Sequence, residues 1–334
     1  VRTSGSPLPH APRSANRPTV GTDYPASSLR QLSNFDGPVT LVEYIDEGGP
    51  PQRWDSRRES FVEVPFERFY PVFAPAPDGR WGAGGDTALA HDNRGHVLVF
   101  DRTGVEDDII VEPPWRDPRI RGNRTPRLGS FLAWSRDSRR LLTAVWTKGA
   151  EVYDVESAGF LIATPFDDAE PRFVPTGPGL GAVTWAPDQT ILANHLPGDE
   201  KALPDIDVYT VDGERIDRIT GAGFLANDGY GAVSPDGSRV VTHCGDAEEG
   251  PLGTACIWSL AEGTKVGEVS IGNPDRQPWS GTLGWYDDSH LLVDGRPDRG
   301  ERDQVVVVDL EGTTTAKLLH NPRNAGLRFA AAPY

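Results

Sequence analysis

The sequence predicts an all-β fold made of many short strands, and three observations support this prediction. Glycine and proline are frequent, with 37 and 30 residues in a chain of 334, and this leaves little room for long helices. Hydrophobic residues still make up 37% of the chain, which is enough for a core. The third observation is a repeated pattern of strand, turn and strand along most of the sequence.

Each repeat centres on an aspartate in a turn between two apolar segments. These aspartates are Asp78, Asp137, Asp188, Asp236 and Asp288, so successive turns lie 59, 51, 48 and 52 residues apart. The side chain of such an aspartate bonds the backbone two residues on, and a following glycine allows a positive φ. A period of about 50 residues that contains only strands is typical of the blades of a β-propeller.

Further strands complete each repeat. Third strands are predicted at His96–Phe100, Ala150–Val155, Ile206–Val211, Ala255–Leu260 and Val305–Leu310, and fourth strands follow, as at Arg215–Ile219 and Lys265–Val269. Alternation of side chains along these segments supports half-buried strands.

The two ends of the chain supply a further blade. Leu327–Ala331 is predicted as a first strand, whereas Val39–Ile45 and Phe61–Val64 are predicted as later strands that lack a first one. A shared blade closes the ring without an exposed sheet edge. We therefore predict one propeller domain over residues 28–334 with six four-stranded blades, with seven blades as the alternative. A Pro- and Ser-rich arm or linker precedes it at residues 1–27.

The repeats resemble those of the TolB-like, WD40-like six-bladed β-propeller family. The resemblance rests on Leu132–Asp137, Val183–Asp188 and Ala232–Gly237, each followed by an apolar strand, and on Val208–Gly213 with the later pair Ile219 and Thr220. It covers most of residues 71–320 and implies the fold. It does not imply the function, because these residues build blades in proteins of many activities.

Tryptophans recur in the same register as the turns. Trp134, Trp185 and Trp285 each stand three residues before a turn aspartate. A shared register indicates a shared structural role, so we expect these rings to fill the space between adjacent blades rather than to stack on a ligand.

The formal net charge of −16 argues against nucleic-acid binding through a basic surface. No apolar run approaches the roughly 18 residues of a membrane-spanning helix, so we expect no direct membrane insertion in this chain. The expected partner is a protein, a peptide or a glycan, and the expected state is a monomer.

The chain contains four lysines and 29 arginines, a bias that is typical of a GC-rich bacterial genome. The chain begins at Val1, and we expect an extracytoplasmic protein, secreted or anchored by a segment before Val1.

One face of the predicted propeller collects the longer loops. Segments 197–205, 245–250 and 294–301 are acidic, whereas one interblade loop is rich in arginine and two others contain aromatic residues. Opposed charges on one face would form a directional binding surface. The alternative is that the acidic loops provide solubility and pair with the arginines. The candidate binding residues are Trp115, Arg116, Arg119, Arg121, Arg124, Arg127, Tyr230 and Trp279.

The only two cysteines lie in one predicted blade. Cys244 ends a second strand and Cys256 begins the third. Antiparallel pairing could place them opposite each other, either as a disulfide or as two buried thiols. A disulfide would favour an extracytoplasmic location.

Catalytic signals are sparse. His91, His195, His243 and His290 fall in different blades without the close spacing of a metal site. The sequence therefore favours a non-enzymatic binding or scaffold propeller without a cofactor. Two alternatives stay open: a lactonase-like hydrolase or lyase with a divalent metal at the propeller axis, and the extracellular sensor domain of a membrane protein.

Overall fold

A computed structural model of the chain describes most of the strands that form the predicted sheets. The residues described are 30–31, 39–45, 52–55, 60–63, 72–78, 80–86, 96–101, 109–114, 127–146, 158–177, 179–197, 202–226, 231–245, 253–271, 282–295, 304–320 and 326–331. The expected N-terminal arm, residues 1–27, lies outside them.

The described residues form twenty-five strands. The first four are β1 (Arg30–Gln31), β2 (Val39–Ile45), β3 (Gln52–Asp55) and β4 (Ser60–Glu63). Then come β5 (Val72–Pro75), β6 (Trp81–Asp86), β7 (His96–Asp101), β8 (Ile109–Val111), β9 (Arg127–Trp134), β10 (Leu141–Trp146), β11 (Ala158–Ala163) and β12 (Arg172–Pro175). The next eight are β13 (Leu180–Trp185), β14 (Ile191–His195), β15 (Asp205–Tyr209), β16 (Arg215–Ile219), β17 (Phe224–Leu225), β18 (Arg239–His243), β19 (Thr254–Ser259) and β20 (Lys265–Ser270). The last five are β21 (Thr282–Asp287), β22 (His290–Gly295), β23 (Gln304–Asp309), β24 (Thr314–His320) and β25 (Gly326–Ala331).

These strands form antiparallel sheets in which sequence neighbours pair in order. We number the sheets along the chain: sheet 1 is β5–β8, sheet 2 is β9–β12, sheet 3 is β13–β16, sheet 4 is β17–β20 and sheet 5 is β21–β24. Sheet 6 combines β25 with β2, β3 and β4. Because each sheet from sheet 1 to sheet 4 contacts the first strand of the next sheet along the chain, the sheets succeed one another as the blades of a propeller do.

The ends of the chain meet in sheet 6. Strand β25 pairs with β2 from Val39 opposite Ala331 to Ile45 opposite Gly326, so the C-terminal strand supplies the first strand of a sheet that the N-terminal part continues. This is the arrangement that the sequence predicts for the closing blade.

The predicted blade architecture needs one correction. Five sheets are regular four-stranded blades, but sheet 5 has five strands because β1 pairs with the outer strand β24. Residues Arg30 and Gln31 thereby cover an edge that would otherwise be open. A seventh blade, the alternative raised by the sequence, is absent from the part of the chain that the structure describes.

Two strands differ from their predicted positions. The third strand of sheet 2 is Ala158–Ala163, where Phe160 and Leu161 are fully buried on opposite faces, and not the predicted Ala150–Val155, which lies outside the described residues. The first strand of sheet 4, β17, is short and comprises only Phe224 and Leu225. Farther along, Val233 joins the sheet only through an isolated bridge to Val240.

The core lies between neighbouring sheets. Each of the four seams from sheet 1 to sheet 5 has its own apolar cluster. The seam between sheets 2 and 3 joins Phe160 to Ile191 and Tyr209. In the seam between sheets 4 and 5, Val241 and Ile257 pack with Leu291. A large apolar side chain that is fully buried contributes about 1.5–3 kcal/mol, so these seams account for the main stabilisation of the fold.

A tryptophan latch crosses three of the seams. The indole Nε1 of Trp134 donates to the Ala74 carbonyl at 3.0 Å, that of Trp185 to Ala133 at 3.2 Å, and that of Trp285 to Ala232 at 2.9 Å. Each tryptophan is buried, and each acceptor belongs to the preceding sheet or to the segment that continues its first strand. The latches give the shared register of these tryptophans the structural role that the sequence predicts.

The aspartates of the repeated turns bond the backbone as predicted. In sheet 2, Asp137 accepts hydrogen bonds from the Ser135 hydroxyl at 2.6 Å and the Arg139 amide at 3.1 Å. Asp78, Asp188 and Asp236 make equivalent bonds in their own turns. Sheet 5 differs from the prediction, because Asp287 takes this role while Asp288 instead accepts the backbone amide of Asp236.

The topology separates two faces of the molecule. Turns between first and second strands, and between third and fourth strands, lie on one side, which we call the turn face. Connections between second and third strands, and between sheets, lie on the other side, which we call the loop face. Within sheets 1 to 5 the second-to-third connections of the loop face are 87–95, 147–157, 196–204, 244–253 and 296–303.

Candidate functional site

Most of the residues that the sequence proposes for binding lie outside the described part of the chain. Trp115, Arg116, Arg119, Arg121 and Arg124 belong to the connection between β8 and β9, and Tyr230 and Trp279 to two later connections. Arg127 is the first residue of β9. By topology the connections β8–β9 and β20–β21, which contain or adjoin all of these residues except Tyr230, belong to the loop face, whereas Tyr230 falls between β17 and β18 of sheet 4. The mutual distances of these residues stay a prediction.

A disulfide fixes the base of one connection on the loop face. Cys244 and Cys256 are joined, with their Cα atoms 5.8 Å apart. The Cys244 amide also donates to the Thr254 carbonyl at 3.1 Å. The bridge therefore closes the acidic segment between β18 and β19 at the point where it leaves the sheet. Of the two states that the sequence leaves open, the structure has the disulfide.

A buried amide fixes another connection. Asn194 lies in β14 and is 1% exposed. Its Nδ2 donates to the Gly223 carbonyl at 2.8 Å, and its Oδ1 accepts the Leu225 amide at 2.9 Å. Gly223 has a φ of 93°, and a Cβ there would lie 2.2 Å from the His243 carbonyl oxygen. The chain that enters sheet 4 is therefore held to sheet 3 and requires a glycine.

A charged network is buried within sheet 3. Asp207, only 1% exposed, accepts two hydrogen bonds from the Arg218 guanidinium through Nε and Nη2. The Tyr209 hydroxyl donates to the same carboxylate at 3.1 Å. Arg218 also lies 3.2 Å from Asp205, whose other oxygen accepts the Gly221 amide at 2.8 Å. The network thus joins the third and fourth strands to the connection that leads into sheet 4.

The electrostatics of this network follow from its contacts. Hydrogen bonding to Asp207 raises the pKa of Arg218 above its ordinary value. Burial raises the pKa of the Tyr209 phenol to about 12, and the negative charge of Asp207 adds to the shift. Arg218 and Tyr209 therefore keep their protons throughout the neutral range. The network fixes the positions of the strands that it joins and does not exchange protons.

The three candidate histidines that the structure describes lie in different sheets. His195 ends β14 with its Nδ1 3.7 Å from Asp207, and the neighbouring Gly179 would bring a Cβ to within 3.4 Å of its ring. His290 lies on the turn face and contacts Asp287 at 2.9 Å. His91 lies outside the described residues. Among the described residues, no three His, Cys, Asp or Glu side chains come close enough together to hold a metal ion.

His243 has a different environment. It ends β18 and is 5% exposed, and its Nδ1 has no hydrogen-bond partner in the described part of the chain. Burial lowers the pKa of its imidazole to about 4. The side chain is therefore neutral at pH 7. The hydroxyl of Thr282, at the start of β21 and 2% exposed, also has no hydrogen-bond partner within the described ranges.

Sequence reasoning missed the Asp207 network and the anchoring role of Asn194. The signal for the network was present, because Asp205 and Asp207 alternate with apolar residues in a strand whose partner strand contains Arg215 and Arg218. A charged residue at an inward position of a strand needs a partner there. For Asn194 the sequence has no comparable signal, since its acceptor and donor are backbone groups of another sheet.

Comparisons with known proteins agree with the fold. No protein-family profile matches the chain, and no curated protein sequence matches it. Among solved structures, an oligogalacturonate lyase in complex with manganese aligns with a TM-score of 0.54 at 12% identity, covering 86% of this chain and 81% of that one. The β-propeller domain of the trilobed protease from Pyrococcus furiosus aligns with a TM-score of 0.41 at 10% identity, over 75% and 71% of the two chains.

The likeness to the lyase supports the architecture only. At identities of 12% and below, similarity of structure speaks for the fold and not for the activity, because propellers host many unrelated functions. The chain is a β-propeller with four-stranded antiparallel blades. No helix in the described ranges has both the length and the apolar character needed to cross a membrane.

Proposed function

We propose that the chain is a binding or scaffold propeller that engages a protein, a peptide or a glycan through its loop face. The observation that supports this proposal is the difference between the two faces. The turn-face connections 186–190, 288–289 and 310–313 are short and bonded to Asp188, Asp287 and Asp309, whereas the loop-face connections 244–253 and 196–204 are longer and acidic. Long connections on a rigid scaffold are the usual carriers of recognition.

The scaffold beneath these connections is rigid. The disulfide holds one acidic connection at its base, and Asn194 and Asp205 tie another segment, residues 220–225, to sheet 3. Anchored bases limit the conformational entropy that the loops lose on binding. The arginines between β8 and β9 would supply the opposite charge on the same face, which favours a partner with both acidic and basic or hydroxyl groups.

A screen with matched arginine variants tests this proposal. The purified chain is screened on a glycan array and a peptide-display library, and the best binder is measured by calorimetry. Arg116→Ala with Arg121→Ala should weaken that binding at least tenfold. The control, Arg136→Ala with Arg139→Ala, removes two exposed arginines from the turn face and should leave affinity unchanged. Equal effects of the two variants would contradict the proposal.

The finer family assignment and the location also remain our proposals. The repeats support a place near the TolB-like, WD40-like six-bladed family, and the disulfide supports an extracytoplasmic location, secreted or anchored, because such bonds persist in oxidising compartments. An extracellular sensor domain of a membrane protein would use the same face. Fusing the full-length gene to a compartment-specific reporter tests the location, and reporter signal from the cytoplasm alone would contradict it.

The competing function is that of a hydrolase or lyase with a divalent metal at the axis. The lyase structure with manganese shares the fold, but the described residues of this chain do not bring together a ligand set. We therefore derive no catalytic step through a metal. Titration of the metal-free chain with Mn²⁺ decides between the two, since stoichiometric binding would support the metalloenzyme.

A further inference from the structure

Two buried polar atoms without partners share one end of the seam between sheets 4 and 5. His243 is the last residue of a second strand and Thr282 the first residue of a first strand, so both lie at the loop-face end. Strand β18 contacts β21. A buried polar group without a hydrogen bond is costly, which makes two of them in one seam informative.

Strand register directs both side chains into that seam. His243 pairs with Ala255 and lies two residues after Val241, and both of these apolar residues belong to the cluster shared by sheets 4 and 5. Thr282 pairs with Val293, which belongs to the same cluster. Residues that pair directly across strands lie on the same face of a sheet. His243 and Thr282 therefore face each other's sheets.

The preceding seam shows how the equivalent position is satisfied. Asn194 follows Leu192 by two residues, as His243 follows Val241, and Leu192 belongs to the cluster shared by sheets 3 and 4. Asn194 bonds directly to the entering chain through Gly223 and Leu225. His243 occupies the corresponding place in the next seam, yet its Nδ1 makes no such bond to any residue that the structure describes.

We propose that the loop-face end of this seam is a binding site for one hydroxyl oxygen, which bridges His243 Nδ1 and the Thr282 hydroxyl. The oxygen belongs to a water molecule or to a polyol. A hydroxyl suits the site because it both donates and accepts, so it satisfies a neutral imidazole in either tautomer together with a threonine hydroxyl. A carboxylate or an ammonium group could only accept or only donate.

A matched pair of threonine variants tests the proposal. Thr282→Val removes the hydroxyl with little change of shape. If the hydroxyl is bonded to the bridging oxygen, Tm should fall by about 2–4 °C. The control Thr242→Val removes a fully buried hydroxyl that donates to the Ala222 carbonyl and accepts from the Trp258 indole. Its Tm should therefore fall by at least as much. An unchanged or higher Tm for Thr282→Val would overturn the proposal, because an unbonded buried hydroxyl is better replaced by a methyl group.

Imidazole NMR supplies the second readout. In ¹⁵N-labelled protein, the Nδ1 shift of His243 should change on Thr282→Val and stay constant on Thr242→Val. No change with the first variant would contradict a shared bridging oxygen. The two sources of the oxygen are separated by repeating the measurement with and without added glycerol or monosaccharides: a signal that is independent of them assigns a water molecule, and a saturable shift assigns a polyol.

Discussion

The two faces of the propeller obey different constraints. On the turn face, Ser135 and Asp137 in sheet 2 are repeated as Ser234 and Asp236 in sheet 4, with the same 2.6 Å bond between hydroxyl and carboxylate. On the loop face, equivalent positions in neighbouring seams differ in their hydrogen bonds. Asn194 is bonded to the Gly223 carbonyl, whereas His243 Nδ1 has no partner among the described residues. The repeated face closes each blade by local geometry, which leaves the other face free to vary.

Neighbouring turns are also joined to one another. The Ser138 hydroxyl accepts the Asp78 amide at 2.9 Å, and Asp288 accepts the Asp236 amide at 2.7 Å. These bonds join the same pairs of sheets as two of the tryptophan latches. The turn face is therefore the more strongly connected side of the described structure, and perturbations there should lower stability more than perturbations on the loop face.

The largest expected effect comes from a latch. Trp185→Ala removes a buried ring and the bond to Ala133, and should lower the free energy of unfolding by about 3–5 kcal/mol. Denaturant unfolding measures this. The loop-face change Thr220→Ala, at an exposed side chain, should alter it by less than about 0.5 kcal/mol. Similar losses for the two variants would contradict the division between the faces.

Acid should weaken the loop face first. Burial lowers the pKa of His243 to about 4 from an ordinary value of 6.5, so the unfolded chain binds a proton that the folded chain rejects between these values. Stability is full above pH 6.5 and is lost as the pH falls to about 4, by about 3 kcal/mol in all. Thermal unfolding across this range measures the loss, and His243→Asn should flatten the profile. A profile unchanged by that substitution would refute the assignment.

The turn face should respond at lower pH. The Ser135 hydroxyl bond holds the pKa of Asp137 below 3.8, and the Ser234 hydroxyl does the same for Asp236. Their contribution to stability is present above pH 3.8 and is lost as the pH falls through the lowered folded values. Asp137→Asn with Asp236→Asn should reduce the acid sensitivity below pH 3.8 and leave the His243 step in place.

The next prediction concerns the stability that the disulfide contributes. Replacing Cys244 and Cys256 together by serine frees the connection between them in the unfolded chain and should cost about 2–3 kcal/mol. Intact mass measured with and without reductant gives the independent check, since reduction of the bridge adds two protons. An unchanged mass would mean that no bridge is present in the isolated protein.

The smallest of these effects concerns Asn194. Asn194→Ala leaves the Gly223 carbonyl and the Leu225 amide without their partner and should cost about 2 kcal/mol. Asn194→Asp keeps an acceptor for Leu225 but cannot donate to Gly223, so its loss should also be measurable. No loss in either variant would show that this segment is held by its own sheet alone.

Much of the turn face could be predicted from sequence, because its geometry is local. The Asp-centred turns, the recurring tryptophans and the closing pairing of β25 with β2 all follow from repeated residues and alternation. The misplaced third strand of sheet 2 shows the limit, since two candidate strands, Ala150–Val155 and Ala158–Ala163, lie close together and only packing of Phe160 against the next sheet selects the second.

The loop face was less predictable for a physical reason. The Asp207 carboxylate and the Asn194 amide find partners on other strands, and Asn194 bonds only to backbone groups about thirty residues away, as the separations of 29 and 31 show. Residue type does not encode such distant pairing. The position of two cysteines at facing strand ends allowed the bridge to be anticipated, because there the register itself brings them together.

Hydrogen exchange in the presence of the best binder from the array or display screen tests the central claim most directly. The account predicts that bound ligand slows exchange in the loop-face segments 112–126, 196–204 and 244–253, while the turn segments 135–140, 186–190 and 234–238 exchange as in the free protein. Slowing confined to the turn segments would contradict the assignment of recognition to the loop face.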